Sequence, residues 1–154
     1  MPTARICVVA DFPAERIWAK LSEYGTWGTW LTHVAESHIE IYDHIENFDA
    51  LRVPVGAVRS CGEPMNPRVR ERLVSHDDAT RTISYEITEP PVWRFPGRRY
   101  RGTAKVIALT DRQGCVIEWS GTYDCDQKDE QYLQELLTGL YESFVAGLIK
   151  AVAE

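Results

Sequence analysis

The sequence predicts an α+β fold in which a curved antiparallel sheet of seven strands wraps around one long C-terminal helix. Three observations lead to this prediction. The chain of 154 residues is 44% hydrophobic and 26% charged, which is typical of one globular domain covering residues 1–154. Seven short segments alternate apolar and polar residues between Gly, Pro and Asp turns. Residues 128–153 instead repeat apolar positions at helical spacing.

The first strand is predicted over TARICVVA, and two short helices follow it. The segment PAERIWAKLSEYG begins with Pro13, a residue favoured at helix starts, and ends at Gly25, a residue favoured at helix ends. Its apolar residues Ile17, Trp18 and Leu21 lie on one helical face. A second short helix or turn is predicted in TWGTWL.

Six further strands are predicted in HVAESHIEI, VGAVRSC, RVRERLVS, RTISYEI, RRYRGTAKVIAL and CVIEWSGTYDC. Alternate side chains of a strand face opposite sides, so one row of each strand faces the terminal helix. From the third strand onward, these inward rows are mostly apolar and aromatic. They contain Val55, Ala57, Arg59, Cys61, Val69, Glu71, Leu73, Ile83, Tyr85, Ile87, Tyr100, Gly102, Ala104, Val106, Ile117, Trp119, Gly121 and Tyr123.

The terminal helix is predicted from Lys128 to Ala153. Beside its apolar stripe, Gly139, Ser143 and Gly147 recur at every fourth residue. Small residues at this spacing allow close packing of the helix on the sheet, or they leave an internal cavity for a ligand. Both interpretations remain open. The stripe consists of Leu133, Leu136, Leu137, Leu140, Phe144, Leu148 and Val152.

A carboxylate interrupts one inward row, because Glu71 lies between Val69 and Leu73. A buried carboxylate must find a partner or stay protonated. Arg59 is the only other formal charge on these rows and is predicted on the neighbouring strand, so we expect the two residues to pair. The pair is either a structural contact that fixes strand register or a functional group on a cavity wall.

Charge and motif content argue against several classes of function. A net charge of -6 with a pI near 5.3 disfavours nucleic-acid binding. The alternation of HVAESHIEI directs His38 outward between two glutamates, which favours a solvated face over a metal site. His33 lies on the opposite, inward side of the same strand, near Trp30 in the sequence, and is a candidate for proton transfer. No phosphate-loop spacing or nucleophile–His–acid arrangement is present, so no cofactor is expected.

The chain is expected to be a soluble cytoplasmic protein without membrane insertion. Its N-terminal apolar run, Ile6 to Ala10, is too short for a secretory signal, and no run reaches membrane-spanning length. The four cysteines form no C-x-x-C pair, and reduced thiols are expected.

Several segments together resemble the polyketide cyclase/dehydrase family of the START-related helix-grip superfamily (SRPBCC), over nearly the whole chain. They are FPAERIWAKLSEYGTWGTWL, VGAVRSC, VRERLVSHDDATRTISYEI, RRYRGTAKV and VIEWSGTYD. The resemblance implies an internal cavity between sheet and helix that binds a hydrophobic poly-keto or aromatic molecule. As an enzyme, the protein would use Arg59 and Tyr100 to stabilise enolate or alkoxide charge during aldol closure and dehydration. Glu71 or His33 would move the proton.

The same cavity also suits a non-catalytic carrier or receptor, and the sequence does not separate the two. A third class, an interaction protein of the chaperone-cofactor kind, is disfavoured by the polar residues on the inward rows. Two proline-rich loops, CGEPMNP and TEPPVWRFPG, would form a gate or simply pack over the sheet edge. Besides Arg59, Glu71, Tyr100 and His33, the predicted site includes Trp30, Tyr85, Trp119, Tyr123, Leu140 and Ser143, with Pro64, Trp93 and Phe95 in the loops.

The outward arginines of the sheet suggest two further interpretations. They would dock an acidic acyl carrier protein, or they would pair across strands with Glu86 and Glu118, which is favoured. A homodimer is compatible with either interpretation. The arginines are Arg68, Arg70, Arg72, Arg99 and Arg101.

Overall fold

The computed structural model describes residues 1–31, 36–40, 52–63, 66–89 and 95–154, with the backbone only at 36–40, 60–63, 66–68 and 89. Strand β1 is followed by helix α1 and a 3₁₀ helix, then by strands β2 to β7 and the terminal helix α2. A short 3₁₀ turn, Gln127–Asp129, precedes α2. The bounds are β1 Thr3–Ala10, α1 Ala14–Leu21, the 3₁₀ helix Tyr24–Thr29, β2 Glu36–Glu40, β3 Val58–Glu63, β4 Asn66–Asp77, β5 Thr82–Glu89, β6 Arg98–Ala108, β7 Cys115–Asp124 and α2 Glu130–Ala153.

These strands form one antiparallel sheet in the order β1-β7-β6-β5-β4-β3-β2. The alternation predicted from the sequence is clear in β7, where buried and half-buried residues alternate along the whole strand. Helix α2 packs against β1, β7 and α1, and its buried residues face the sheet. The predicted α+β fold, with an antiparallel sheet and a long C-terminal helix, is therefore confirmed.

Helix α1 forms where its sequence pattern predicts it. Pro13 precedes the first turn and Glu15 lies within it, where a carboxylate interacts favourably with the helix dipole. One face, containing Ile17, Trp18 and Leu21, is buried. This face anchors α1 to the rest of the core and places the following 3₁₀ helix beside the sheet.

Strand β3 begins later than predicted. Gly56 has a φ of +97°, a left-handed conformation that glycine adopts without strain, and it forms a turn with Val55. Val55 is consequently 56% exposed, so its predicted place on the inward row is wrong. Ala57 is buried as predicted, and regular pairing begins at Val58. The predicted inward residue Cys61 has no described side chain.

The small residues of α2 separate into different environments. A Cβ atom on Gly147 would lie 2.4 Å from the backbone oxygen of Trp30, so this glycine permits close packing of α2 on the chain after the 3₁₀ helix. Gly139 is exposed, and a Cβ atom there would meet no described atom within 4 Å beyond its chain neighbours and the backbone of its own helix. Close packing therefore explains Gly147 and does not explain Gly139.

The 3₁₀ turn and α2 together, Gln127–Ala153, have the length and apolar character of a membrane span, with a mean hydropathy of 1.4. Length and composition alone are weak evidence, because the core helix of a globular domain has the same properties. Here Leu133, Leu137 and Leu148 are buried within the domain.

Candidate functional site

An ion pair lies on the inner face of the sheet between β3 and β4. Arg59 and Glu71 are direct cross-strand partners, and Nη2 of Arg59 donates to Oε2 of Glu71. The exposed fractions of the two side chains are 2% and 16%. The pairing predicted from the sequence is therefore present, and the arginine end is the more deeply buried.

The 3₁₀ helix surrounds Arg59 with aromatic rings. Cζ of Arg59 lies 3.9 Å from the ring centroid of Tyr24 and 4.3 Å from that of Trp27. Nη1 donates to the backbone oxygen of Tyr24 at 3.0 Å, and Oη of Tyr24 donates to the backbone oxygen of Glu71 at 3.1 Å. These cation–π contacts and hydrogen bonds hold a buried cation in an aromatic setting.

Three tyrosine hydroxyls meet in the interior close to this pair. They come from β5, β6 and α2. Oη of Tyr100 lies 2.5 Å from Oη of Tyr141 and 3.5 Å from Oη of Tyr85. Nε1 of Trp119 donates to Oη of Tyr85 at 2.9 Å. The ring of Tyr85 also joins this cluster to the arginine, because Cζ of Arg59 lies 5.8 Å from its centroid.

Two glycines of the sheet make room for these tyrosines. Gly102 of β6 and Gly121 of β7 are cross-strand partners. A Cβ on Gly102 would lie 2.3 Å from Cζ of Tyr85, and a Cβ on Gly121 would lie 2.1 Å from Oη of Tyr141. The phenol rings therefore rest directly on the glycine backbone. We call Tyr85, Tyr100 and Tyr141 the tyrosine cluster.

Burial controls the protonation of the tyrosine cluster. Loss of solvation raises the pKa of Tyr85, Tyr100 and Tyr141 above the ordinary value of 10. The phenols therefore stay neutral at physiological pH and act as hydrogen-bond donors rather than as bases. A neutral donor set beside a buried guanidinium can stabilise negative charge that develops on an oxygen atom.

The other predicted ligand-binding residues differ in their burial. Trp30 is buried, and its ring lies 5.7 Å from that of Trp27. Tyr123 is buried near the end of β7, and burial raises its pKa. Leu140 and Ser143 are half-buried on α2, but Oγ of Ser143 donates to the backbone oxygen of Leu140 at 2.7 Å. That hydroxyl hydrogen is therefore used within its own helix.

Of the predicted gate residues, Phe95 is described and is half-buried. Its ring meets the ring of Tyr100 edge-on at 5.9 Å, so it packs against the tyrosine cluster. Pro64, Trp93 and the proton-transfer candidate His33 lie outside the described residues.

Sequence reasoning missed Tyr24, Trp27 and Tyr141. Tyr141 has no exposed surface, yet it was not assigned to the predicted apolar stripe of the helix. Its position four residues after Leu137 was the available signal. The 3₁₀ residues have no periodicity that would have indicated contact with an arginine on a distant strand.

On the outer face, arginines pair with acids of neighbouring strands. Arg72 and Arg101 both approach Glu86, at 3.1 and 3.8 Å. Arg5 contacts Glu118 at 2.5 Å. Of the predicted outward arginines, Arg72 and Arg101 thus pair with Glu86 as predicted. Arg99 pairs instead with Asp124, and the predicted acid Glu118 pairs with Arg5 of β1. Within the part of the chain that the structure describes, no three His, Cys, Asp or Glu side chains are grouped to hold a metal ion.

Solved structures share this fold at low sequence identity. A Thermobifida fusca protein has a TM-score of 0.80 at 22% identity, covering 99% of this chain and 93% of that one. XoxI from Bacillus cereus has a TM-score of 0.78 at 21% identity, covering 100% and 97%. Norcoclaurine synthase from Thalictrum flavum, solved with dopamine and hydroxybenzaldehyde, has a TM-score of 0.72 at 18% identity, covering 98% and 86%.

No curated protein sequence matches the chain. The family model described as polyketide cyclase / dehydrase and lipid transport, in contrast, matches residues 1–153, which is almost the full length. This match agrees with the helix-grip architecture and with the polar groups placed between sheet and helix. The chain belongs to the polyketide cyclase / dehydrase and lipid transport family.

Proposed function

We propose that the protein binds a hydrophobic poly-keto or aromatic molecule between the sheet and α2 and promotes its aldol-type cyclisation and dehydration without a cofactor. The observation that carries this proposal is the polar interior. Arg59 is 1% exposed, and the tyrosine cluster is buried beside it. Family membership supports a ligand-binding role.

A purely structural core would gain little stability from these polar groups. Burying an ion pair has a desolvation cost that its attraction offsets only partly, so apolar replacements of similar volume are often equally stable. Buried hydroxyls likewise gain little net stability from their hydrogen bonds. Retaining Arg59 and three phenols in one interior is therefore better explained by recognition of a polar atom on a ligand than by stability.

Each polar group has a role in the proposed reaction. A base, Glu71 or His33, takes a proton from the carbon next to a carbonyl, and the resulting enolate carbon attacks a second carbonyl carbon. A carbon–carbon bond forms, and the new alkoxide takes up a proton. The hydroxyl then leaves as water with loss of a neighbouring proton. Arg59 and Tyr100 stabilise the enolate and alkoxide oxygens.

A carrier or receptor function is the second candidate, and one observation favours it. Glu71 is already held by Arg59 through a direct hydrogen bond, which ties up the carboxylate that would act as base. In a carrier, Arg59 and Tyr100 would only anchor the polar end of a hydrophobic metabolite.

The test compares the wild type with Arg59→Met/Glu71→Leu, which removes both charges while filling their volume. The matched control is Arg98→Met/Asp126→Leu, which removes an arginine–carboxylate pair at the surface. Binding of 2-acetylnaphthalene is measured by calorimetry, and cyclisation of a linear tetraketone is followed by the absorbance of its aromatic product.

Faster cyclisation by the wild type and the control, but not by the interior variant, supports the enzyme. Binding without acceleration, weakened only in the interior variant, supports the carrier. Equal binding and turnover by all three proteins would reject a functional role for the interior pair.

A further inference from the structure

The tyrosine cluster has a spacing that its own hydrogen bonds do not explain. Oxygen–oxygen hydrogen bonds span about 2.5 to 3.0 Å. The contact between Tyr100 and Tyr141 falls in this range at 2.5 Å, whereas Tyr85 and Tyr100 are 3.5 Å apart. The latter two hydroxyls are neighbours but make a poor direct bond.

The oxygen of each of these two hydroxyls can accept a hydrogen bond from another side chain. Tyr85 accepts the N–H of Trp119 at 2.9 Å. Tyr100 can accept the O–H of Tyr141, because either oxygen of that pair can donate. A phenol whose oxygen accepts a hydrogen bond still has its own O–H hydrogen to donate. In this arrangement Tyr85 and Tyr100 each have one hydrogen available on adjacent oxygens.

We propose that Tyr85 and Tyr100 form a two-donor site for one acceptor oxygen of the ligand, a ketone or enolate oxygen, with Trp119 and Tyr141 as positioning residues. The proposal rests on the proposed function and names the ligand atom that the interior recognises. One oxygen at about 2.7 Å from each hydroxyl fits two donors that are 3.5 Å apart. All four donor hydrogens then have an acceptor.

Close contact with the sheet backbone fixes where these hydroxyls lie. Gly102 lies under Tyr85, and its absent Cβ would fall 2.5 Å from that hydroxyl oxygen. Gly121 similarly leaves space for the hydroxyl of Tyr141. Burial keeps the phenols protonated, so they donate to a developing negative charge without ionising themselves. A hydrogen bond accepted by a hydroxyl oxygen also makes its O–H a stronger donor.

The experiment uses two probes of matched shape, 2-acetylnaphthalene and 2-isopropenylnaphthalene, which differ in a C=O against a C=CH₂ group. Their affinity ratio isolates the contribution of the oxygen, since losses of packing or stability affect both probes alike. The proteins are the wild type, Tyr85→Phe, Tyr100→Phe, Tyr141→Phe and the control Tyr132→Phe. Tyr132 is 37% exposed on the same helix as Tyr141.

Tyr85→Phe and Tyr100→Phe should each lower the ratio of ketone affinity to alkene affinity about 2- to 10-fold, the range expected for one hydrogen bond. Tyr141→Phe should lower it less, and Tyr132→Phe should leave it unchanged. The C=O stretching frequency of the bound ketone adds a readout that packing alone does not move. It should fall on binding to the wild type, fall less with Tyr141→Phe and least without a direct donor.

Several outcomes would overturn the site. If the wild type binds both probes and Tyr85→Phe and Tyr100→Phe leave their ratio unchanged, the two-donor site is wrong while the proposed binding function stands. If no probe binds the wild type, the proposed function fails and this site fails with it. Should a variant not fold, an unshifted C=O frequency in the wild type alone rejects the site.

Discussion

Two arginine–carboxylate pairs in this molecule have the same chemistry in opposite surroundings. Arg59 and Glu71 join β3 to β4 on the inner face, with side chains 2% and 16% exposed. Arg52 and Asp78 meet at the surface through two hydrogen bonds, with side chains 54% and 53% exposed. Solvent therefore screens the second pair far more than the first.

The surface pair belongs to a cluster that connects distant parts of the chain. Asp78, in the turn after β4, also accepts the Nε1 hydrogen of Trp18 from α1 at 2.9 Å. The ring of His76 meets the ring of Trp18 edge-on at 5.4 Å. Arg52 lies just before the turn that leads into β3. The cluster thus fastens α1 to the sheet.

The difference shows how burial changes what the same residue types can do. At the surface, water solvates either partner when the other is lost, so the pair contributes little stability. In the interior, each charge depends on its partner and on the rings of Tyr24 and Trp27. A polar atom of a ligand would gain most from this second environment.

The largest expected effect is that of Arg59→Ala. It should lower the free energy of unfolding by about 3–5 kcal/mol, because it removes the Arg59 guanidinium from the mostly buried Glu71 carboxylate. Arg59→Met/Glu71→Leu should recover most of this loss. Urea denaturation of the two variants and the wild type measures both values. A loss for Arg59→Ala no larger than that for Arg52→Ala would mean that water reaches Glu71 and would remove the contrast between the pairs.

The interior pair was predictable from the sequence, whereas its surroundings were not. The alternation of the apolar row fixes the side of the strand that Glu71 faces, so Glu71 required a partner there. Arg59 was the only other formal charge on the predicted inward rows. The alternation also gave the correct row for β6 and β7. These inferences use contacts between neighbouring strands, whose geometry is regular.

The contacts between distant elements were harder to predict. Tyr141 reaches the sheet because Gly121 has no side chain, and this depends on how α2 lies across β7 rather than on any local pattern. The 3₁₀ residues approach Arg59 only after the chain folds back on itself. The strand pattern of VGAVRSC includes Gly56, but the left-handed turn at Gly56 delays the start of β3 and exposes Val55.

The second prediction tests how tightly the interior is packed. Gly121→Ala should lower the free energy of unfolding by about 1–3 kcal/mol, because its methyl group would meet Oη of Tyr141 at 2.1 Å and a ring carbon of Tyr100 at 2.8 Å. The matched control is Gly139→Ala on the exposed face of α2, which should stabilise the helix by about 0.5–1 kcal/mol. Thermal unfolding compares the two. An unaffected Gly121→Ala protein would indicate free space beneath the tyrosine cluster.

The third prediction concerns acid and sharpens the role of the surface cluster. Burial first, and then the nearby Arg52 charge, lower the pKa of His76 below its ordinary value of 6.5, while Asp77 and Asp78 oppose this shift. The unfolded chain therefore binds the proton more readily than the folded protein does. Stability should fall as the pH drops below 6.5 and should stop falling, for this group, below the folded pKa.

His76→Phe isolates this contribution because it keeps an aromatic ring against Trp18 and removes the titrating group. The difference in unfolding free energy between wild type and variant should change between pH 7.5 and 5. The other three histidines are common to both proteins, so their titration cancels in this difference. A constant difference across this range would show that His76 has the same pKa in the folded and unfolded chains.

The smallest expected effect is that of Arg52→Ala. Its stability loss should be below about 1 kcal/mol and should shrink in 1 M salt, because the pair is exposed and screened. Asp78 keeps its hydrogen bond from Trp18, so the link between α1 and the sheet survives.

The clearer signal of Arg52→Ala is protonation, since the bond from Arg52 is the main cause that holds the pKa of Asp78 below its usual range. Its loss should raise that pKa towards the ordinary value, as followed by NMR of the carboxyl carbon. Because the pKa of Asp78 is lower in the folded protein than in the unfolded chain, Asp78 stabilises the fold at pH values above its unfolded pKa. This stabilisation is lost as the pH falls through the folded pKa, and Arg52→Ala should make it smaller. A stability loss of several kcal/mol, insensitive to salt, would instead show that the surface pair behaves like the buried one.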